Sequence, residues 1–81
     1  MAVQLNYVPA DAEAVTPSDA TFVNYVGLYV GGTGDVAVVT ANGTTVTFKA
    51  MPVGFQISLQ IRQVKATGTT ATNIVGFKAV P

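Results

Sequence analysis

The chain has 81 residues, enough for one domain, with four basic and four acidic residues, zero net charge, and neither cysteine nor histidine. This excludes a disulfide framework and thiolate or imidazole metal sites. It removes the usual general base, the Ser-His triad and thiol catalysis, and zero net charge gives no electrostatic pull toward nucleic acid or a charged membrane.

Only 10% of the residues are charged while 49% are hydrophobic, against about a quarter charged in ordinary soluble domains. Such a surface is expected to be covered by other protein. A chain this short buries only roughly two-thirds of its unfolded surface, and small domains add disulfides, a metal or partner subunits. With the first two gone, oligomerisation or docking on a larger body remains.

In chain order, Val3, Leu5 and Tyr7 alternate with polar neighbours and stop at Val8-Pro9. This reads as an edge strand or extended arm, since proline lacks the donor a central strand needs. Residues 1–13 are therefore expected as an N-terminal arm or edge strand, and 14–81 as a single β-domain. Ala10 to Ala14 has at most one helical turn. Thr16-Pro17-Ser18-Asp19 is a turn. Phe22 to Val30 reads as one long strand with Phe22, Val26, Leu28 and Val30 on one face and Val23, Tyr25 and Tyr29 on the other; Gly27 marks a bulge.

Gly31-Gly32-Thr33-Gly34 is expected as a tight turn. Val36 to Val39 is apolar on both faces. Asn42-Gly43 is a strong hairpin signal, followed by Thr44 to Lys49 with Val46 and Phe48 inward. After the break at Met51-Pro52-Val53-Gly54, residues Phe55, Ile57, Leu59 and Ile61 alternate with polar ones, the cleanest half-buried strand in the chain. The phase shifts at Gln63-Val64, which predicts a bulge or a strand end there. Ala66 to Ala71 is a loop, and Asn73 to Val80 the last strand, with Val75 and Phe77 as its core pair. Six to seven short strands at this spacing predict an all-β fold, a small antiparallel β-sandwich or barrel.

The motifs that carry chemistry are weak. The Gly31–Gly34 run lacks the Lys-Ser/Thr of a phosphate loop, and Asp35 follows it. Asp11 and Glu13 fall short of a calcium loop and read as solvated arm residues. No neighbour activates a threonine of the 66–72 loop. An enzyme is not expected, nor a cofactor or metal. Tyr7, Tyr25 and Tyr29 suit a half-wet interface better than a sugar platform. The candidate oligomer or capsid interface is thus Val3, Leu5, Tyr7, Val23, Tyr25 and Tyr29. All four acidic residues precede all four basic ones; this is either chance or pairing between flanks of neighbouring subunits.

Four segments occur in order: Ala14-Val15-Thr16-Pro17-Ser18-Asp19, the run Leu28 to Thr40 with its Gly31-Gly32-Thr33-Gly34-Asp35 centre, Gly43 to Phe48, and Ala66 to Val75. Together they closely resemble the spike base proteins of tailed phages and phage-like gene transfer agents, over roughly Ala14 to Phe77. The resemblance implies a virion structural protein on the outer capsid surface. It would assemble as a symmetric homo-oligomer, a trimer or pentamer, seated on the major capsid protein. There it would decorate or stabilise the head, or serve as base for a spike or fibre. The relatives carry a longer N-terminal segment, so a capsid decoration protein in its own right is a shorter version of the same role. No signal peptide or membrane span is expected, so the chain would be made in the host cytoplasm and reach the virion by assembly. The alternative is a small carbohydrate-binding or adhesin module of a fibre.

Overall fold

The computed structural model describes residues Asp11–Lys78. Seven antiparallel strands form two sheets: β1 (Asp11–Ala14), β2 (Gly27–Tyr29), β3 (Gly34–Thr40), β4 (Thr45–Met51), β5 (Gln56–Ile57), β6 (Ile61–Val64) and β7 (Val75–Lys78). The four-stranded sheet has the order β1-β7-β2-β5 and the three-stranded sheet β4-β3-β6. No helix occurs among the described residues. The expected turn of helix near Ala10–Ala14 is instead the outer strand of the first sheet, with Ala14 opposite Val75 and Glu13 opposite Gly76.

Two expected strands are each split between the sheets. Tyr25 bridges to Ile61 of the second sheet, the chain bends at Val26, and Leu28 then pairs with Ile57 and Gly76 in the first. The alternating run after Phe55 does the same in reverse: Ile57 belongs to the first sheet, and the chain crosses at Leu59 to β6 in the second. The alternation survives the crossing, because Ile57 and Ile61 are both buried and Leu59 packs against them. Apolar residues on both faces of Phe22–Val30 therefore reflect a change of sheet, not a strand buried on both sides.

The Gly31–Gly34 segment is a close crossing rather than a tight turn. Gly32 bridges to Thr72, and the Gly31 amide donates to the Asn73 carbonyl at 3.1 Å. A Cβ on Gly31 would sit 2.5 Å from the Asn73 oxygen, and one on Gly34 2.5 Å from the Ala71 nitrogen. Glycine is required because two backbones touch.

The threonine loop beside this crossing extends the sheet. Thr70 and Thr69 accept from the Asp35 and Ala37 amides through their hydroxyls, each at 2.9 Å, and the Lys65 amide donates to the Ala37 carbonyl. Side-chain oxygens continue along β3 where β6 ends.

The Asn42-Gly43 hairpin forms with the turn one residue earlier than a two-residue loop would place it. Gly43 donates to the Thr40 carbonyl and alone takes positive φ, at 88°. This is the three-residue hairpin with glycine in the left-handed position. The predicted bulge near Gln63 is present: Val39 faces Gln63 while Thr40 faces Ile61. It turns Gln63 inward, where its side-chain amide donates to the Ser18 carbonyl at 3.2 Å.

The core is Tyr25, Leu28, Val30, Val36, Val38, Met51, Ile57, Ile61, Val64, Ala71 and Ile74. The expected core pair Val75 and Phe77 is only half-buried, while Ile74 is buried. The reason is register. Gly76 stands opposite Leu28, which is fully buried, so Gly76 takes the inward position of β7 and its neighbours turn outward. The Tyr25 ring occupies the space over Gly76, 2.6 Å from where a Cβ would sit.

Candidate functional site

The outward positions of the first sheet form two rows. Ala14, Val75, Tyr29 and Gln56 stand side by side in one; Ala12, Phe77 and Gly27 in the next. Ala12 and Ala14 are exposed, and Tyr29, Val75 and Phe77 half-exposed. Neither row holds a charged residue. The Phe77 ring lies across Gly27, 3.5 Å from the position a Cβ would take. The Tyr29 hydroxyl reaches toward Gly54 in the β4–β5 turn. That turn displays Val53 and Phe55, 63% and 48% exposed. The amide of Phe55 donates to the Pro52 carbonyl, and its own carbonyl accepts from Val30. The result is an uncharged face of alanine, valine and aromatic rings. Exposed apolar patches of this kind mark contact surfaces.

The inward rim of the same edge carries the charges. The Tyr25 hydroxyl donates to Glu13 Oε2 at 2.6 Å, and Lys78 Nζ lies 2.9 Å from Glu13 Oε1. Glu13 is therefore tied down, not a solvated arm residue. The Tyr25 hydrogen bond first, and Lys78 second, hold its carboxyl below the usual range. Burial, then Glu13, pushes the Tyr25 hydroxyl up. Glu13 raises the Lys78 ammonium in turn.

Part of the separation of acidic and basic residues along the chain is bridged within one molecule. Antiparallel pairing brings early strands against late ones. Glu13 meets Lys78, Asp35 meets Lys49 at 3.6 Å, and Asp19 accepts from the amide and hydroxyl of Thr67 at 3.1 and 2.5 Å. Asp35 also braces the end of β4. Its Oδ1 accepts from the Ala50 amide at 2.8 Å, holding a bulge in which Ala50 takes φ 52°.

The predicted interface residues separate. Val3, Leu5 and Tyr7, with the rest of the 1–9 arm, lie outside the described residues. Tyr25 is 2% exposed and belongs to the chain's own core. Val23 packs against that core, its amide bonded to the Arg62 carbonyl. Tyr29 is on the open face. Sequence reasoning missed Ala12, Ala14, Val75 and Phe77 as its companions. The available signal was Gly76, which yields the inner side of β7 to a ring from elsewhere.

A shallow groove of about 580 Å³ lies between the β3–β4 hairpin and the β5–β6 crossing. Thr40, Asn42, Thr44, Ser58 and Gln60 line it beside Leu59, with no aromatic ring. Among the described residues no group of three acidic side chains gathers as a metal site, and no buried side-chain polar atom lacks a partner.

A solved structure matches this chain nearly end to end: a chain from the capsid of a native GTA (gene transfer agent) particle, computed with C5 symmetry. The identity is 32%, with 95% of this chain and 92% of that chain covered and a TM-score of 0.79. The chain belongs to the family of that GTA capsid-particle protein. No protein-family model and no curated protein matches it. The shared span takes in both sheets, and with them the open face.

Proposed function

We propose that this chain is a virion structural protein on the outer surface of a tailed-phage or gene-transfer-agent-like capsid. Its kinship with a chain of a GTA capsid, over 95% of its length, carries this reading. In this role it assembles as a symmetric homo-oligomer on the major capsid protein, decorates or stabilises the head, and serves as base for a spike or fibre. The charge-free outer face around Tyr29, Val75 and Phe77 is the surface we assign to capsid contact. The N-terminal residues Val3, Leu5 and Tyr7 remain candidates for the same contact.

The size of the face supports docking on a large body. Four strands of two to four residues, about 4.8 Å apart with about 3.3 Å per residue, span only about 200 Å². A stable pair of partners needs about 800 Å² on each. One face is too small to hold a lone copy, so affinity must come from several copies bound together.

The adhesin reading has less support. The groove between the hairpin and the β5–β6 crossing has hydroxyls and amides but no aromatic surface on which a sugar ring would stack. The test is occupancy. Purified particles lacking this protein are incubated with wild type or with Phe77→Asp and separated from free protein. Wild type is expected on the particles and Phe77→Asp in the free fraction. Wild type that never binds particles, or binds a glycan array instead, defeats the proposal.

A further inference from the structure

We propose that copies of this chain join edge to edge, with β1 of one copy pairing with β4 of the next. The inference rests on the self-assembling reading above and names its joint. Among the described residues, β1, β4 and the two-residue β5 end their sheets without a neighbour. The remaining end, β6, is covered: the amides of Val23 and Ser18 donate to the Arg62 and Val64 carbonyls, and Tyr25 and Ile61 exchange bonds. Since β5 is too short to receive a strand, two usable edges remain among the described residues.

Backbone alternation says which groups those edges offer. The Thr40 amide donates to the Thr44 carbonyl, so Thr44 faces β3. Antiparallel alternation then turns the amides and carbonyls of Thr45 and Thr47 away from the sheet. On β1, Val15 donates to the Ile74 carbonyl. The same alternation points Asp11 and Glu13 at β7 and turns Ala12 and Ala14 outward. The Ala12 amide is capped by its neighbour Asp11 at 2.8 Å; among the described residues the Ala14 amide has no such cap. Both edges thus present two outward residues spaced two apart, with small, uncharged, exposed side chains. Neither stretch holds proline or lysine, the usual protections of an edge. The bulge at Lys49–Ala50 bends only the far end of β4. One antiparallel register uses all four outward residues: Ala14 opposite Thr45 and Ala12 opposite Thr47.

Charge and symmetry select this pairing over its rivals. Two β1 strands pairing through Ala12 and Ala14 would set Glu13 directly against Glu13, and like charges opposite one another destabilise a sheet. Two β4 strands can pair, but both copies keep an open β1. The mixed joint fills both edges and sets no like charges opposite one another. It is head-to-tail, the kind that closes into rings. The outer faces of joined copies then run on from one to the next.

The chain has no cysteine, so introduced thiols report cleanly. Ala14→Cys copies are mixed with Thr45→Cys copies and gently oxidised. The expected product is a covalent dimer from the mixture and little from either variant alone. Self-linking of Thr45→Cys assigns a β4–β4 joint and overturns the proposal. No cross-link in an oligomer that native mass spectrometry still detects moves the joint elsewhere while sparing the assembly reading. A wild-type chain with monomer mass at every concentration removes both. As a second check, Thr47→Pro removes an outward donor that β3 does not use. It should keep the monomer's circular dichroism and lose the oligomer; unchanged oligomer mass also overturns the joint.

Discussion

Tyr25 links the core to the rim of the open face. Its ring fills the space above Gly76 and its hydroxyl holds Glu13 of the outermost strand. Gly76→Ala would push a methyl into that ring. Overpacking of this kind costs about 1–3 kcal/mol, so the urea midpoint should fall clearly; an unchanged midpoint contradicts the packing described. The charges predict a pH profile. Glu13 is depressed in the folded state, so its contribution is present above the unfolded value near 4.5 and is lost as pH falls through the folded one. Tyr25 is raised, so its contribution is intact below the unfolded value of 10.0 and is lost as pH climbs. Melting temperature followed across acid pH should fall less steeply in Glu13→Gln than in wild type. A residual slope remains, because Asp19, held down chiefly by Thr67, still titrates. Identical acid limbs would mean that the Glu13 cluster does not form.

At the level of strands and turns, small residues and hydroxyls decide the path. Ala50 in the left-handed region is costly for a residue with a Cβ, about 1–2 kcal/mol. Ala50→Gly should therefore raise stability by about 0.5–1 kcal/mol, read as a higher denaturation midpoint. Loss of stability would show that the bulge is held differently. The strands, hairpin and second bulge were legible because alternation and Asn-Gly chemistry are local. Their division between sheets was not. Tyr25 and Leu28 read as one strand, since nothing in the residues Val26-Gly27 separates a bulge from a change of sheet. Nor does Gly31-Gly32-Thr33-Gly34 reveal that its glycines serve contact with Thr70–Asn73, which lie some forty residues away in sequence. The threonines there looked like surface coating, and two of them bond β3.

For the whole molecule, the candidate face was half legible. Tyr29 was assigned to an interface from its aromatic character and lies on that face, but Phe77 and Val75 were assigned to the core because an aromatic beside a valine on a last strand usually lies there. Only the register of Gly76 against Leu28 and Glu13 turns them outward. Two acidic–basic pairs, Glu13 with Lys78 and Asp35 with Lys49, form within one molecule, joining residues far apart in sequence. Among the described residues the molecule shows few charges, an apolar face and two sheet edges without a neighbour, in a chain too small to gain much from its own core. Those features suit a part completed by its neighbours.

The most direct measurement is the amount of protein on purified capsids after adding wild type or Phe77→Asp, each shown by circular dichroism to be folded. Saturable wild-type occupancy, with at least a tenfold loss for Phe77→Asp (about 1.4 kcal/mol or more), is the predicted result. Equal occupancy of the two proteins would contradict the claim that this face makes the contact.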